Sequence, residues 1–257
     1  MVDQNASEHG CADLGNGCQR LRETHDDSLL AFASLLRDHA GQGRPQAGAP
    51  AQITRMTYTP HTDGSVECFT TDQHWNANTS EIVHSELYDG ETQDARHATA
   101  TWSEPKTVLR SWSSVSLIDP APVTIEAQSF EPIRVEQSLT AKSVTEPKPG
   151  VWVYDFGQNF SGIETLRVQG PAGTDVRLRF AELVDPDGMI YTENLRTAKA
   201  TDHFILRGDG VEEFTPQFTF HGFRYVEVTG LPTAPGKDAL TAAVIHTDAP
   251  FAAHLLT

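Results

Sequence analysis

Thirty-five Asp and Glu residues make carboxylate chemistry the first to consider in this chain. Two carboxyl groups held ~5 to 9.5 Å apart across a sugar, one as acid and the other as base or nucleophile, hydrolyse glycosidic bonds. Glu182 with Asp185, or Glu193 with Asp202, could form such a pair. Solvated strand ends and turns use the same residue types. We therefore assign no catalytic residue.

A second set of residues has the chemistry to bind a neutral sugar. Exposed aromatic rings stack on pyranose rings, and carboxylates bind their hydroxyl groups. Trp75, Tyr88, Asp89 and Glu91 are the best such set in this sequence. The alternative is structural, because Trp75 could anchor a core and Asp89-Gly90 is typical of a hairpin turn.

Histidine and cysteine do not form a recognisable metal motif. His9, Cys11, Cys18 and His25 contain ligand types, but their spacing matches no compact zinc arrangement. His221 lies in the aromatic stretch 220–225, where packing is a commoner role than catalysis. No nucleophile-elbow, phosphate-loop or dinucleotide motif occurs in a suitable context, so we expect no metal and no cofactor.

Composition narrows the class of partner. The formal net charge of -16 disfavours nucleic acid, which is bound mainly through Lys and Arg. Three cysteines, an odd number in a long chain, indicate no disulfide framework. No signal peptide and no apolar run of about 18 residues is found, so we expect a cytoplasmic protein without membrane contact.

The elements that must position these residues are predicted to be strands. Residues 1–50 are predicted to be an irregular arm with one short helix around Leu29–Leu36. From residue 51 a period of two predicts a hairpin, and the proline-rich stretch 119–135 marks a boundary near residue 130.

Beyond that boundary, apolar side chains alternate with polar ones between Gly, Asp and Pro turns. Val176, Leu178 and Phe180 alternate with two arginines, and Phe218 and Phe220 alternate with Gln217 and Thr219. Two half-buried strands are predicted there. Strands divided by turns at short intervals indicate an all-β, antiparallel β-sandwich.

Four stretches of this second part resemble the bacterial α-L-rhamnosidases of glycoside hydrolase family 78. They are VYDFGQN (153–159), DPDG with YTENLR (185–188 and 191–196), ATD (200–202) and FTFHGFRY (218–225). A thinner match upstream comprises DGS (63–65), TD with Trp75 (71–72), and YDGE with DAR (88–91 and 94–96). Their order and spacing make the resemblance specific.

The resemblance implies a domain plan and a function. It implies part of an N-terminal sandwich over 51–130, one complete jelly-roll or concanavalin-like accessory sandwich over 131–250, and a tail over 251–257. The family's catalytic (α/α)6 barrel would follow this region, so this chain is expected to lack it. We expect a scaffold or docking part of an enzyme that hydrolyses terminal α-L-rhamnosides.

The partner implied by the resemblance is that barrel or a rhamnose-containing glycan. The interdomain docking residues would be Tyr191, Glu193, Asn194, Arg196, His221 and Arg224. Two alternatives stay open at this point. The chain could be a stand-alone carbohydrate-binding module, or a decayed fragment without independent function.

Overall fold

The structure is a computed structural model that describes residues 56–60, 63, 65–70, 72–99, 112–117 and 130–249, with the backbone alone for 56–60 and 66–70. The predicted N-terminal helix, the tail, and His9, Cys11, Cys18 and His25 lie outside the described residues. The chain divides into two compact units, residues 1–78 with 101–130, and residues 79–100 with 131–257.

The described residues form sixteen strands and three short 3-10 turns, and none of them lies in an α-helix. The strands are β1 (Met56–Pro60), β2 (Val66–Thr70), β3 (Asn76–Ala77), β4 (Ile82–Glu86), β5 (Gly90–Asp94), β6 (Ser113–Ser114), β7 (Ile133–Thr140), β8 (Ser143–Lys148), β9 (Val151–Gln169), β10 (Asp175–Ala181), β11 (Leu183–Val184), β12 (Ile190–Tyr191), β13 (Thr201–Ile205), β14 (Val211–Phe214), β15 (His221–Thr229) and β16 (Leu240–Thr247). The turns span Ala95–His97, Glu193–Leu195 and Lys237–Ala239. The predicted all-β class is confirmed.

The described residues of the first unit form two small antiparallel pairs. β1 pairs with β2 from Met56 opposite Thr70 to Pro60 opposite Val66, as the period-two pattern predicted. β3 pairs with β6.

The second unit is built on one curled sheet of ten strands in the order β4-β5-β13-β10-β15-β9-β16-β7, with β8 and β14 also paired to β9. The β5–β13 pair is parallel, and the other pairs of this sheet are antiparallel. The prediction of an antiparallel sandwich is therefore correct except at this one pair.

The 19-residue strand β9 links the two halves of the curled sheet. Its first residues pair with β8 and β15, and its last residues pair with β14 and β16. Gly157, at φ +79°, lies in a gap of the β9–β15 pairing, between Asp155 and Phe160, opposite a register shift between Phe223 and Tyr225 of β15. A bulge with a glycine bends a strand, so one strand serves both layers.

Side chains from both halves form one main hydrophobic cluster, beside a smaller one of Val153, Ala181 and Ile190. Val176, Leu178 and Phe180 of β10 are fully buried, whereas Arg177 and Arg179 point outward, which confirms the predicted alternation. Leu166 of β9 and Leu240 of β16 reach the same cluster from the other half.

The unit boundaries differ from the predicted division at residue 130. β4 and β5, expected in an N-terminal sandwich, join the sheet of the second unit through the β5–β13 pair. The buried side chains of β5 are Glu91, Gln93 and Asp94. A strand that buries polar residues has no apolar alternation to reveal its sheet.

The predicted strand through Phe218 and Phe220 is wrong. Residues 215–220 form a loop in which both phenylalanines are 40% exposed and Thr219 is buried. The backbone N–H groups of Gln217 and Phe218 donate to the Glu91 carboxylate instead of to a neighbouring strand. The Glu91 carboxylate therefore satisfies the backbone N–H groups that the hydrogen bonds of a β-sheet would otherwise satisfy.

Candidate functional site

Three carboxylates meet inside the sandwich of the second unit. Glu91 of β5, Glu164 of β9 and Asp202 of β13 are each 0% exposed. The strand order brings β5 and β13 side by side, and the curl of the sheet brings β9 over them. These three residues, which we call the carboxylate cluster, are far apart in sequence.

Asp202 and Glu91 are held by directed hydrogen bonds. Asp202 accepts the backbone N–H of Glu91 at 2.7 Å, and both its oxygens lie 3.2 Å from Nε2 of His221. Glu91 accepts from Gln93 Nε2 at 2.9 Å as well as from the two loop N–H groups. Buried carboxylates are tolerated when their oxygens are satisfied in this way.

Glu164 differs from its two neighbours because its oxygens accept no hydrogen bond from an N–H or hydroxyl donor; its carboxyl group instead lies within hydrogen-bonding reach of Asp202, to which the protonated acid can donate. Burial raises the pKa of Glu164 well above its ordinary value, and the negative charge of nearby Asp202 raises it further. Desolvation and like charge both favour the protonated carboxylic acid. The cluster thus places a neutral acid beside Asp202.

An acid of raised pKa near a second carboxyl group is the combination that glycosidases use. A glycosidase also needs access for the sugar to these groups, and the carboxylate cluster has none. All three carboxyl groups are fully buried, and His221, which stacks on Phe180 with ring centroids 4.1 Å apart, covers Asp202. The cluster is a sealed part of the core.

The acid pairs considered from the sequence do not converge in an open cleft. Glu182 is exposed and accepts from Asn159 and Asn194. Asp185 begins the turn between β11 and β12, where its carbonyl accepts from Gly188. Glu193 is exposed in a 3-10 turn, whereas Asp202 is buried.

The four residues considered for sugar binding are divided between the units. Trp75 belongs to the first unit, and the other three belong to the second. Tyr88 is 71% exposed, and Asp89 pairs with Lys199 at 2.6 Å. The sugar-binding role predicted for Glu91 is corrected by the structure, because a fully buried carboxylate with its acceptor sites in use is not free to bind a sugar.

The predicted docking residues are mostly on the surface. Glu193, Asn194 and Arg196 are exposed, and Tyr191 and Arg224 are half-buried. Arg224 forms a two-pronged ion pair with Asp155, at 2.8 and 2.9 Å, which lowers the pKa of that carboxyl. The docking role predicted for His221 is corrected by the structure, since its side chain lies in the core against Asp202 and Phe180.

A surface groove of about 600 Å³ was not predicted from the sequence. It lies on the outward face of β4, β5, β13 and β10, and the segment 196–199 borders it. Its charged and titratable lining residues are Asp89, Arg177, Arg179, Arg196 and Lys199, together with the imidazoles of His84 and His203. We call it the basic groove. The outward arginines of β10 were the one sequence signal for it.

Two classes of site are not found in the part of the chain that the structure describes. No three His, Cys, Asp or Glu side chains are arranged there to hold a metal ion. Among the same residues, no helix has the length and apolar character that a membrane crossing needs.

Family models match both parts of the chain. Residues 14–137 match the α-L-rhamnosidase N-terminal domain, and residues 145–246 match the bacterial α-L-rhamnosidase concanavalin-like domain. The fold and these matches define a β-sandwich region of a glycoside hydrolase. The chain belongs to the bacterial α-L-rhamnosidase family.

Individual relatives agree with this assignment. An α-L-rhamnosidase of Streptomyces avermitilis is 48% identical over 210 residues, which are 81% of this chain and 20% of that protein. One of Alteromonas sp. is 35% identical over 203 residues, 77% of this chain and 22% of that protein. The chain thus spans about a fifth of the length of these curated relatives.

Solved structures of the family have the same fold. The crystal structure of the Streptomyces avermitilis α-L-rhamnosidase complexed with L-rhamnose superposes with a TM-score of 0.73 at 49% identity, covering 77% of this chain and 19% of that one. The α-L-rhamnosidase from Dictyoglumus thermophilum gives 0.71 at 35% identity, covering 74% and 22%.

Proposed function

We propose that this chain is a non-catalytic scaffold of an α-L-rhamnosidase that docks against the enzyme's catalytic domain. In the complete enzyme the reaction would be hydrolysis of terminal α-L-rhamnosides. The observation that carries the proposal is a group of exposed apolar side chains beside the sealed carboxylate cluster. It comprises Leu87, Tyr88, Phe218 and Phe220, which are 56%, 71%, 40% and 40% exposed, and we call it the apolar rim.

Hydrogen bonds hold the two segments of the apolar rim together. The Thr219 hydroxyl donates to the carbonyl of Glu86 at 3.3 Å, and the Phe218 N–H donates to Glu91 at 3.0 Å. The loop that presents the phenylalanines is therefore fixed to the β4–β5 turn. Large apolar side chains that are both exposed and rigidly positioned are typical of interaction surfaces.

The catalytic domain is the occupant that best fits this surface. The family resemblance implies a helical (α/α)6 barrel in addition to the matched β-domains. Interfaces between domains of one enzyme bury apolar side chains within a polar border. Glu193, Asn194 and Arg196 supply exposed polar groups for such a border.

The test measures association in trans between the 257-residue chain and a separately produced catalytic domain of a family member, by sedimentation velocity and titration calorimetry. We expect the double substitution Phe218→Ser/Phe220→Ser to weaken association at least about tenfold, because two apolar anchors are lost. The matched control is Ile133→Ser in strand β7, at the opposite end of the strand order, where Ile133 is 57% exposed.

Equal affinity of the double variant and the control, or no association of the unmodified chain, would refute docking through the apolar rim. Circular dichroism of each variant verifies that the sheet is retained. Because all the substituted side chains are exposed, we expect the melting temperatures to stay close to that of the parent chain.

Binding of rhamnose is the second candidate function, and the 71% exposure of Tyr88 is the observation that favours it. An exposed aromatic ring can stack on the apolar face of a sugar. This function predicts calorimetric binding of L-rhamnose that Tyr88→Ala or Trp75→Ala abolishes. If the heat of L-rhamnose binding is the same in both variants as in the parent chain, or if the parent chain gives no binding heat, this second function is refuted.

A further inference from the structure

The basic groove is built from the outward side chains of four adjacent strands. Strand register places His84 of β4 opposite Thr92 of β5, Thr92 opposite His203 of β13, and His203 opposite Arg177 of β10. Arg179 lies opposite Thr201 in the adjacent row. A rigid sheet therefore fixes these donor groups in a plane before any ligand arrives.

Positive charge exceeds negative charge along this face. Glu227, which is 2% exposed, lies 3.2 Å from Arg179 and 3.9 Å from Arg177, so one carboxylate is shared by two guanidinium groups. Lys199 is paired with Asp89, and His203 contacts Asp175. One guanidinium charge of β10 is left without a counter-charge of its own.

Arg196 adds a second such charge. Among the described residues, no carboxylate or other group forms an ion pair or hydrogen bond with its side chain. Its backbone has φ +58° and ψ -107°, and Ala200 on the same segment has φ +42°. Left-handed backbone at residues other than glycine costs free energy and is found where the surrounding structure enforces it for function.

The strained segment is tied to the groove at its far end. The N–H groups of Ala200 and Thr201 donate to the carbonyls of Tyr88 and Asp89, at 2.9 and 3.0 Å. These bonds hold the segment against the β4–β5 turn, so Arg196 and Lys199 stand at the border of the groove.

We propose that the basic groove binds the carboxylate of a uronic acid unit in a glycan. Arg177, whose nearest carboxylate is shared with Arg179, and the unpaired Arg196 suit one oxyanion, which arginine binds with paired N–H groups. The Thr92 hydroxyl of the lining is open to a sugar hydroxyl, the Thr192 hydroxyl accepts from Arg179 and can still donate, and the Thr201 hydroxyl donates to the Lys199 carbonyl and can still accept. A volume of about 600 Å³ is in the range of small-molecule sites rather than of flat protein interfaces.

The test titrates the 257-residue chain with trigalacturonate at low salt, and with its methyl ester as the uncharged match. We expect binding of the acid, at least about tenfold weaker binding of the ester, and a loss of affinity as salt is added. A sulfated trisaccharide distinguishes a carboxylate site from a general anion site.

Two variants assign the binding to the groove. Arg196→Gly removes the side chain and suits the positive φ, and Arg177→Gln removes one charge from an exposed position. We expect each to weaken trigalacturonate binding about tenfold while the melting temperature is retained. Arg167→Gln is the charge-matched control, because Arg167 is exposed on β9 and lies outside the groove.

Four outcomes would overturn the proposal. They are no binding of trigalacturonate, equal binding of its ester, an equal loss in Arg167→Gln, or binding of the sulfated sugar in place of the uronate. Arg196 belongs both to the groove lining and to the polar border of the docking surface, but the docking test changes only Phe218 and Phe220, which do not line the groove. Failure of either test therefore leaves the other one interpretable.

Discussion

The core of the second unit has an aromatic region and a carboxylate region, which are equally buried but stabilised differently. Phe156, Phe160, Phe180 and Phe223 pack with ring centroids 4.5 to 6.0 Å apart. This packing needs no particular partner atom. The carboxylate cluster, by contrast, depends on individual hydrogen bonds to Glu91 and Asp202.

Burial alone therefore does not reveal the role of a core residue. Removing an aromatic side chain forfeits apolar contacts on all sides. Removing a carboxylate leaves named donors without an acceptor, a cost set by directed bonds rather than by area. Phe180 belongs to both regions, since His221 stacks on it.

The largest effect is expected from Phe223→Ala, at the centre of the aromatic region. Phe223 is fully buried and contacts the rings of Phe156, Phe160 and Phe180. The free energy of unfolding should fall by about 3 to 5 kcal/mol, measured by urea denaturation. A loss near that of an exposed residue such as Val211→Ala would contradict this packing.

A smaller loss is expected from Glu91→Gln, which keeps the size of the side chain but not its two acceptor oxygens. The amide cannot accept from Gln93, Gln217 and Phe218 together. We expect a loss of about 2 kcal/mol. Glu213→Gln, at an exposed carboxylate, is the control and should change the unfolding free energy little.

The smallest effect at low pH, and the sharpest in its pH dependence, is expected from Glu164→Gln. Because the pKa of Glu164 is raised in the folded protein, the folded state binds more protons than the unfolded state. Parent stability should therefore fall as pH rises from about 4.5 through the raised pKa, whereas the Gln variant should lack this slope.

Urea denaturation of both proteins from about pH 4.5 to about pH 8 measures this difference. Lowered pKa values, such as that of Asp94 at about 2, act in the opposite sense and at lower pH. Their stabilisation is present above the ordinary value and is lost as pH falls. Parallel curves for the two proteins would show that Glu164 is not held protonated.

The sequence predicts strand β10 and the turn that follows β11 well, and the carboxylate region poorly. Strand β10 follows a strict alternation that fixes its buried face, and the turn at residues 185–188 forms as its Asp, Pro and Gly residues indicate. Strand β5 buries Glu91 and Gln93, so hydrophobic periodicity does not find it. Phe218 and Phe220 mislead for the opposite reason, because exposed aromatic residues mimic a strand.

The candidate sites divide in the same way. Tyr191, Glu193, Asn194 and Arg196 follow one another along the chain, so a motif could identify them together. The carboxylate cluster and the basic groove depend on the parallel β5–β13 pair, which joins residues more than a hundred positions apart. No local pattern encodes that pairing, and neither site could be assembled without it.

The most direct test of a non-catalytic role is an assay of the 257-residue chain with p-nitrophenyl α-L-rhamnoside. With Glu91, Glu164 and Asp202 sealed in the core, we predict no release of p-nitrophenol above the rate without protein. Release by the parent chain that Glu164→Gln or Asp202→Asn abolishes, with the fold retained, would contradict the account.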